Sequence, residues 1–399
     1  MLTRVKIFGL MIAVLSVLTL VPGAPFGSAQ GRPTAAPPEP LNTLSNTEAT
    51  EAYFSDFSAP SASSVVQDAD AENVEFVGHV GGATYAVAVQ GDYAYIGEGP
   101  RLTILDISNP ASPTVVGKTA PLPDIVQDVY VSGDYAYVAD GWDGLRVVDV
   151  STPSNPTEVG FYNMSGHAKG VAVAGGYAYV ANQRGLRVVD VSTPSDPTAV
   201  GACDTPGYAE DVAVAGGHAY VADDEAGLRV VDVSTPSDPT EVGFYDTPGL
   251  AYGVAVAGGY AYIADCWSLR VVDVSTPSSP TEVGFCDTPG CACGVAVAGG
   301  YAYIADWGGL RVVDVSTPSN PTEVGSYNTP GSAEDVALAG DYAYVADRWG
   351  LRVVDVSTPA SPTDVGFYDT PERAYDVAVA GGYAYIANYL EGLRVVDIS

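Results

Sequence analysis

From about residue 73 onward, apolar positions alternate with small or polar ones at a period of two residues, which is the pattern of β-strands. In the stretch that begins at Gly170, Val171 and Val173 alternate with Ala172 and Ala174, and Tyr177 and Tyr179 alternate with Ala178 and Val180. A third run follows in which Leu186, Val188 and Asp190 share one face and Arg187, Val189 and Val191 the other. Both faces are largely apolar, as expected of a small sheet held between two others rather than one with a face in water. Gly175-Gly176 permits a tight hairpin between the first two runs. In the stretch from Asp190 to Pro197 the aspartate and serine can bond to local backbone N–H groups, and each proline pushes the residue before it out of helical space. The pattern predicts a unit of four short antiparallel strands: A (VAV), B (YAYVA), C (LRVVDV) and D (TEVGFY). No segment has helical periodicity.

This unit is copied along the chain. The aspartate that ends strand C falls at Asp106, Asp149, Asp190, Asp232, Asp273, Asp314, Asp355 and Asp397, at spacings of 41 to 43 residues. A fixed period of that size means that each copy buries its faces against its neighbours. Four-stranded units at this period fit an all-β, eight-bladed β-propeller, which hides strand edges by radial repetition. The D pattern occurs first as Val74-Glu-Phe-Val-Gly78, before any A strand, and Ser399 follows directly on a C strand. An N-terminal outer strand that completes the last blade is therefore expected, with the propeller over residues 73–399. The alternative is seven blades with one extra unit.

The N-terminal segment has a different character. Arg4 and Lys6 precede an apolar run from Ile7 to Val21, and Gly27-Ser28-Ala29 supplies a small-residue cleavage site, so residues 1–29 read as a signal peptide. The run is shorter than the roughly 20 residues a membrane span needs. Residues 30–72, rich in Pro, Ala, Ser and Thr, read as a flexible linker. The expected product is a secreted, extracellular or cell-surface monomer with no membrane insertion after signal cleavage. The formal net charge of −32, from 48 acids and 16 bases, repels phosphate backbones and argues against nucleic acid as a partner.

The repeat resembles a known one. Leu145-Arg-Val-Val-Asp149 and its copies, preceded by Tyr-Ala-Tyr-Val-Ala-Asp, look like the LVIVD repeat of exported and surface proteins of bacteria and archaea. All eight copies carry the terminal Asp; seven have Arg at the second position, and the first has Thr103 there. The resemblance implies a propeller at the cell exterior, and the family has no general activity to carry over. The WD40 repeat is less similar, because its Gly-His and Trp-Asp signatures are missing.

Comparison of the copies separates scaffold from candidate site. In a propeller the A–B and C–D loops lie on one face and the B–C and D–A loops on the other. The first set hardly changes from copy to copy, whereas the second changes freely. All four tryptophans, Trp142, Trp267, Trp307 and Trp349, fall in B–C loops. With Tyr389 and the D–A residues Tyr208, Tyr252 and Tyr375 they make a candidate aromatic binding surface for an extracellular glycan or a protein. The competing reading is that each tryptophan packs over an adjacent blade.

Aspartates gather on the same face. Asp140, Asp223, Asp265, Asp306 and Asp347 end strand B, and Asp128, Asp211, Asp335 and Asp376 stand just before strand A. These oxygens are candidate ligands for Ca²⁺, the one cofactor considered; against this, Asp commonly bonds to the turn that follows it. The motif Asp and Arg of strand C, such as Asp149 and Arg146, read as turn and ion-pair residues of unassigned partner. Cys266 shares a face with Cys291 and Cys293, so a disulfide of Cys266 with Cys293 or Cys291 is expected. His167 and Lys169 are the best candidates for acid–base work, but no partnered nucleophile is visible.

These observations favour an exported, non-catalytic binding or interaction module with its ligand on the variable face. The alternatives are a propeller hydrolase or lyase that uses loop residues of that face, and a purely structural cell-surface component.

Overall fold

The computed structural model of the chain describes residues 71–72, 75–80, 84–106, 108, 114–369, 374–380, 382–388 and 392–398. The signal-peptide segment, and the linker as far as residue 70, lie outside the described residues. Among those described, every regular element is a β-strand, and each pairing is antiparallel. Residues 84–118, 128–162, 168–204 and 211–245 each form a four-stranded sheet in the sequential order A, B, C, D.

The later units depart from simple copying in three places. Residues 253–328 form one sheet of seven strands, because Thr281–Ala298 runs as a single strand that serves as strand D of the fifth unit and strand A of the sixth. At that junction Cys266 pairs with Ala292 in the ladder and is joined by a disulfide to Cys291, which ties the connection to the B–C loop. The unit at 333–369 gains a fifth strand at its outer edge from Ala71–Glu72, so the last two residues of the expected linker are strand. Strands Ala374–Ala380, Tyr383–Asn388 and Gly392–Asp397 are completed by Glu75–Val80, which pairs with Gly392–Asp397.

The cores lie between successive sheets, which explains why both faces of each strand are apolar. Leu145 and Val147 of the second unit pack with Val171, Val180 and Val189 of the third. Tyr385, Leu393 and Val395 of the last unit pack in the same manner with Val87, Ile96 and Leu105 of the first. Each fully buried Leu, Ile or Val contributes on the order of 1.5–3 kcal/mol of transfer free energy. The A strands of successive sheets touch one another, and Thr84–Gln90 touches Ala374–Ala380.

Two devices fix the conserved-looking loops of one face. The motif aspartate folds the C–D loop over itself: Asp149 Oδ1 accepts from the N–H of Ser151 at 2.9 Å and from its Oγ at 2.6 Å. These bonds hold the Asp149 carboxyl below the ordinary carboxylate range. The second device joins neighbouring units. The strand-D glycine of one unit lies against the Pro-x-x-Pro loop of the next, so closely that a Cβ on Gly160 would stand 2.2 Å from the Pro194 carbonyl oxygen and 2.6 Å from Pro197 Cδ. Gly117, Gly201, Gly243, Gly284 and Gly325 repeat this approach to the loops that follow them.

Candidate functional site

On the opposite face, strand B delivers its terminal aspartate into the protein. Asp140, Asp223, Asp265, Asp306 and Asp347 are all fully buried. Their partner is the arginine of the neighbouring strand C. Arg146 Nε lies 3.1 Å from Asp140, Arg270 Nε 2.9 Å from Asp265, Arg311 Nε 3.1 Å from Asp306 and Arg352 Nε 3.3 Å from Asp347. Burial pushes the Asp140 carboxyl up to about 6 against the pull of Arg146. Several of the guanidinium groups are also covered by strand D, with Arg146 over Phe161, Arg229 over Phe244 and Arg270 over Phe285 at 4.6–5.0 Å. The same aspartates hold the D–A loop: Asp223, Asp265, Asp306 and Asp347 accept from the N–H of Gly207, Gly249, Gly290 and Gly331.

The third unit tests this arrangement from within the chain. It carries Asn182 for the aspartate, and Ala199 and Ala202 where most other copies have an acid and Phe. Its arginine, Arg187, turns instead to the exposed Asp204 at 2.6 Å. Arg187 remains mostly buried, so the third unit changes the partner of the arginine rather than its place.

The aspartates before strand A have another task. Asp128 accepts from Val129 N–H at 2.7 Å and from Val171 N–H of the next unit at 2.8 Å. Asp211 bridges Val212 and Val254 likewise, and Asp335 bridges Val336 and Val377. Asp376 accepts from Val87 at 3.2 Å, which links the last unit to the first. Burial and the adjacent Asp376 hold the Asp335 carboxyl well above its ordinary range. Both sets of candidate Ca²⁺ ligands are thus turned toward arginine or backbone N–H groups. Among the described residues no group of three or more His, Cys, Asp or Glu side chains is placed to hold a metal ion.

The four tryptophans and Tyr208 face solvent. Trp142, Trp267 and Trp349 are about 60% exposed and Tyr208 is 56% exposed, while Trp307 is the most covered tryptophan at 36%. Tyr252 and Tyr375 are partly buried, and burial raises the Tyr252 hydroxyl pKa. Tyr389 lies outside the described residues. Backbone bonds pin two of the tryptophan loops, from Trp142 N–H to Asp124 Oδ2 and from Trp349 N–H to Asp347 Oδ1, both at 2.8 Å.

Two smaller clusters adjoin them. His167 stands edge-on to Trp142 at 5.2 Å, with its Nδ1 buried and without a hydrogen-bond partner; burial and Lys169 lower its pKa. Lys169 pairs with Glu210 at 3.2 Å. The Cys266–Cys291 disulfide, with Cα atoms 4.1 Å apart, packs with the buried free thiol of Cys293 against Leu250 and Tyr252. Cys203 and Cys286, on D strands, are free and half-buried.

An open cavity of about 720 Å³ lies between the third and fourth units on this face. Sequence reasoning missed it, because its walls come from loops that differ in every copy. A second, of about 380 Å³, is lined by the A strands and includes Val131, Val173, Val214 and Val256.

The family model described as the LVIVD repeat matches residues 81–120, 124–164, 165–205, 206–247, 248–288, 289–329, 330–370 and 372–399. No curated protein matches the sequence. Among solved structures, the computationally designed protein Ika8 is similar at a TM-score of 0.70 and 10% identity, over 81% of this chain and 98% of that one. BamB from Moraxella catarrhalis is similar at a TM-score of 0.63 and 12% identity, over 81% and 97%. The β-propeller domain of Cps50 (Swd1) from Myceliophteria thermophila is similar at a TM-score of 0.54 and 12% identity, over 82% and 100%. At such identities the likeness is one of fold, and the fold is that of β-propellers.

Proposed function

The chain belongs to the LVIVD repeat family, and from that premise we propose that it is an exported, eight-bladed β-propeller that binds an extracellular glycan on its variable loop face and carries out no catalysis. The eight consecutive repeats support the blade number. Pairing of Glu75–Val80 with Gly392–Asp397, and the shared core of the first and last units, support closure of the ring. Export rests on the charged and apolar pattern of residues 1–29.

One observation carries the binding role. Large aromatic rings project into solvent from the loops that vary between copies, while the loops of the other face are near-identical and are occupied in joining units. An exposed Trp or Tyr gives broad contact area at small entropic cost. Acid–base chemistry has less support, since Lys169 is engaged by Glu210 and His167 rests against Trp142.

The test is tryptophan emission of the folded chain, titrated with a panel of extracellular polysaccharides. A saturable shift is expected with at least one glycan, and calorimetric titration with that glycan should show binding lost in a Trp142→Ala/Trp267→Ala/Trp349→Ala variant that melts at the parental temperature. No response from a folded chain to any glycan would transfer the binding role to a protein partner.

A further inference from the structure

The cavity between the third and fourth units carries chemistry that the scaffold does not use. It is lined by Gln183, Arg184, Tyr208, Asp224 and Glu225, among others. Arg184 is exposed, and among the described residues no acid lies within ion-pair distance of its guanidinium. In a chain with three acids for every base this is unusual, and most of the other arginines described here are paired with acids. Of the acids in the cavity wall, Asp204 holds Arg187 and Asp246 holds Arg229, each at 2.6 Å, whereas Asp224 and Glu225 form no ion pair among the described residues.

The backbone around these side chains is fixed. Arg184 N–H donates to Asn182 Oδ1 at 2.9 Å, and the Arg184 carbonyl accepts from Thr205 N–H at 3.1 Å. The loop that presents Tyr208 is anchored on buried Asp223 through Thr205 Oγ1 and Gly207 N–H, with Gly207 too close to the Asp223 carbonyl to admit a Cβ. A fixed main chain that bears exposed side chains lowers the entropic cost of binding.

We propose that this cavity is a subsite for a carboxylated glycan, a uronic acid flanked by neutral sugars, and this deepens the reading of the variable face as a glycan-binding surface. The unpaired Arg184 guanidinium takes the carboxylate in a two-pronged, charge-assisted pair. The exposed ring of Tyr208 offers a platform for a pyranose face, and Glu225 and Gln183 accept from sugar hydroxyls. A polymer with phosphate at every residue is disfavoured by the strong net negative charge of the chain, whereas isolated carboxylates separated by neutral sugars meet one local cation.

The test is calorimetric titration of the full chain with a glucuronoxylan oligosaccharide and with its carboxyl-reduced form. The acidic oligosaccharide should bind roughly ten- to a hundredfold more tightly than the reduced one, as expected for a hydrogen bond to a charged group. Arg184→Ala should remove that difference and Tyr208→Ala should weaken both forms, with melting temperatures unchanged. Equal binding of the two forms, or full binding by Arg184→Ala, overturns the subsite. If a glycan binds through Trp142, Trp267 or Trp349 and is indifferent to Arg184 and Tyr208, the subsite falls and the binding face stands. If no glycan of either kind binds the folded chain, both fall.

Discussion

The contact between the strand-D glycine and the following Pro-x-x-Pro loop makes a quantitative prediction. At Gly243 the backbone needs no positive φ, and strand D is bulged just before it, so the glycine is required by proximity alone. An alanine Cβ there would stand 2.2 Å from the Pro277 carbonyl oxygen and 2.5 Å from Cδ of Pro280, a buried residue. Neither neighbour can rotate away, because one is main chain and the other a closed ring. Relief requires the loop of the next unit to move outward by about 1 Å, and overpacking of that kind typically costs about 1–3 kcal/mol, occasionally more. Gly243→Ala is therefore expected to destabilise by about 3 kcal/mol, at the upper end of that range. Gly258→Ala supplies the control: its φ is +61° with nothing within 4 Å of the added Cβ, so only the left-handed backbone cost of about 1–2 kcal/mol applies. Urea unfolding followed by far-ultraviolet circular dichroism measures both, with midpoints compared at constant slope. If Gly243→Ala costs no more than Gly258→Ala, the inter-unit lock is not a determinant of stability.

Two further predictions concern the variable face. Asp224 combines a φ of +48°, a buried Oδ1 without a hydrogen-bond partner, and a carboxyl pushed up to about 6 by burial and by Glu210, Glu225 and Asp223. A carboxyl with its folded pKa raised costs stability once ionised; the cost grows as pH rises from about 4 to about 6 and is complete above that. Discounted for partial solvent access, Asp224→Asn should gain about 1–2 kcal/mol at pH 7.5 and nothing near pH 4, and a gain that does not change with pH would refute the assignment. For the cysteines, thiol titration in denaturant without reductant should find three free groups, and Cys266→Ser/Cys291→Ser should cost about 3 kcal/mol for a loop of this length. Five free thiols, or an unchanged melting temperature, would count against the bridge.

The strands, their order and the hairpins were legible because period-two alternation and Gly-Gly or Ser-Thr-Pro punctuation are local properties of the chain. The turn made by Asp149 with Ser151 was legible for the same reason, since donor and acceptor are two residues apart. The outer position of Glu75–Val80 could be read from its likeness to the later D strands. Partners brought in from elsewhere could not. Nothing in the spacing of Arg146 and Asp140 says that one reaches the other under Phe161. Asp128 and Asp211 sit where a ring of metal ligands was conceivable, and only the path of the next strand A shows that Val171 and Val254 supply their donors. The continuous strand Thr281–Ala298 could not be read because its Thr288-Pro-Gly290, shared with three other copies, is a local signal for a break, and the disulfide from Cys291 ties this connection to the B–C loop.

The two faces differ in how much of the fold depends on each loop. A Ser-Thr-Pro-x-x-Pro loop must fold on its own aspartate and must also fit the glycine of the preceding unit, so one substitution disturbs two sheets. Six near-identical copies, from 151–156 to 357–362, are the consequence. A B–C loop answers chiefly to one buried aspartate, which meets the backbone N–H of the D–A loop and the arginine of strand C while leaving the exposed side chains unconstrained. Loops as different as Trp307-Gly-Gly309, Asp224-Glu-Ala-Gly227 and Gln183-Arg-Gly185 can then stand on the same frame. The third unit shows how far this tolerance extends, since with Asn182 in place of the aspartate its arginine pairs with the exposed Asp204 and the sheet is still complete. Chemical variety therefore accumulates on the face where it costs the fold least, and the exposed Trp142, Trp267, Trp349, Tyr208 and Arg184 are all found there.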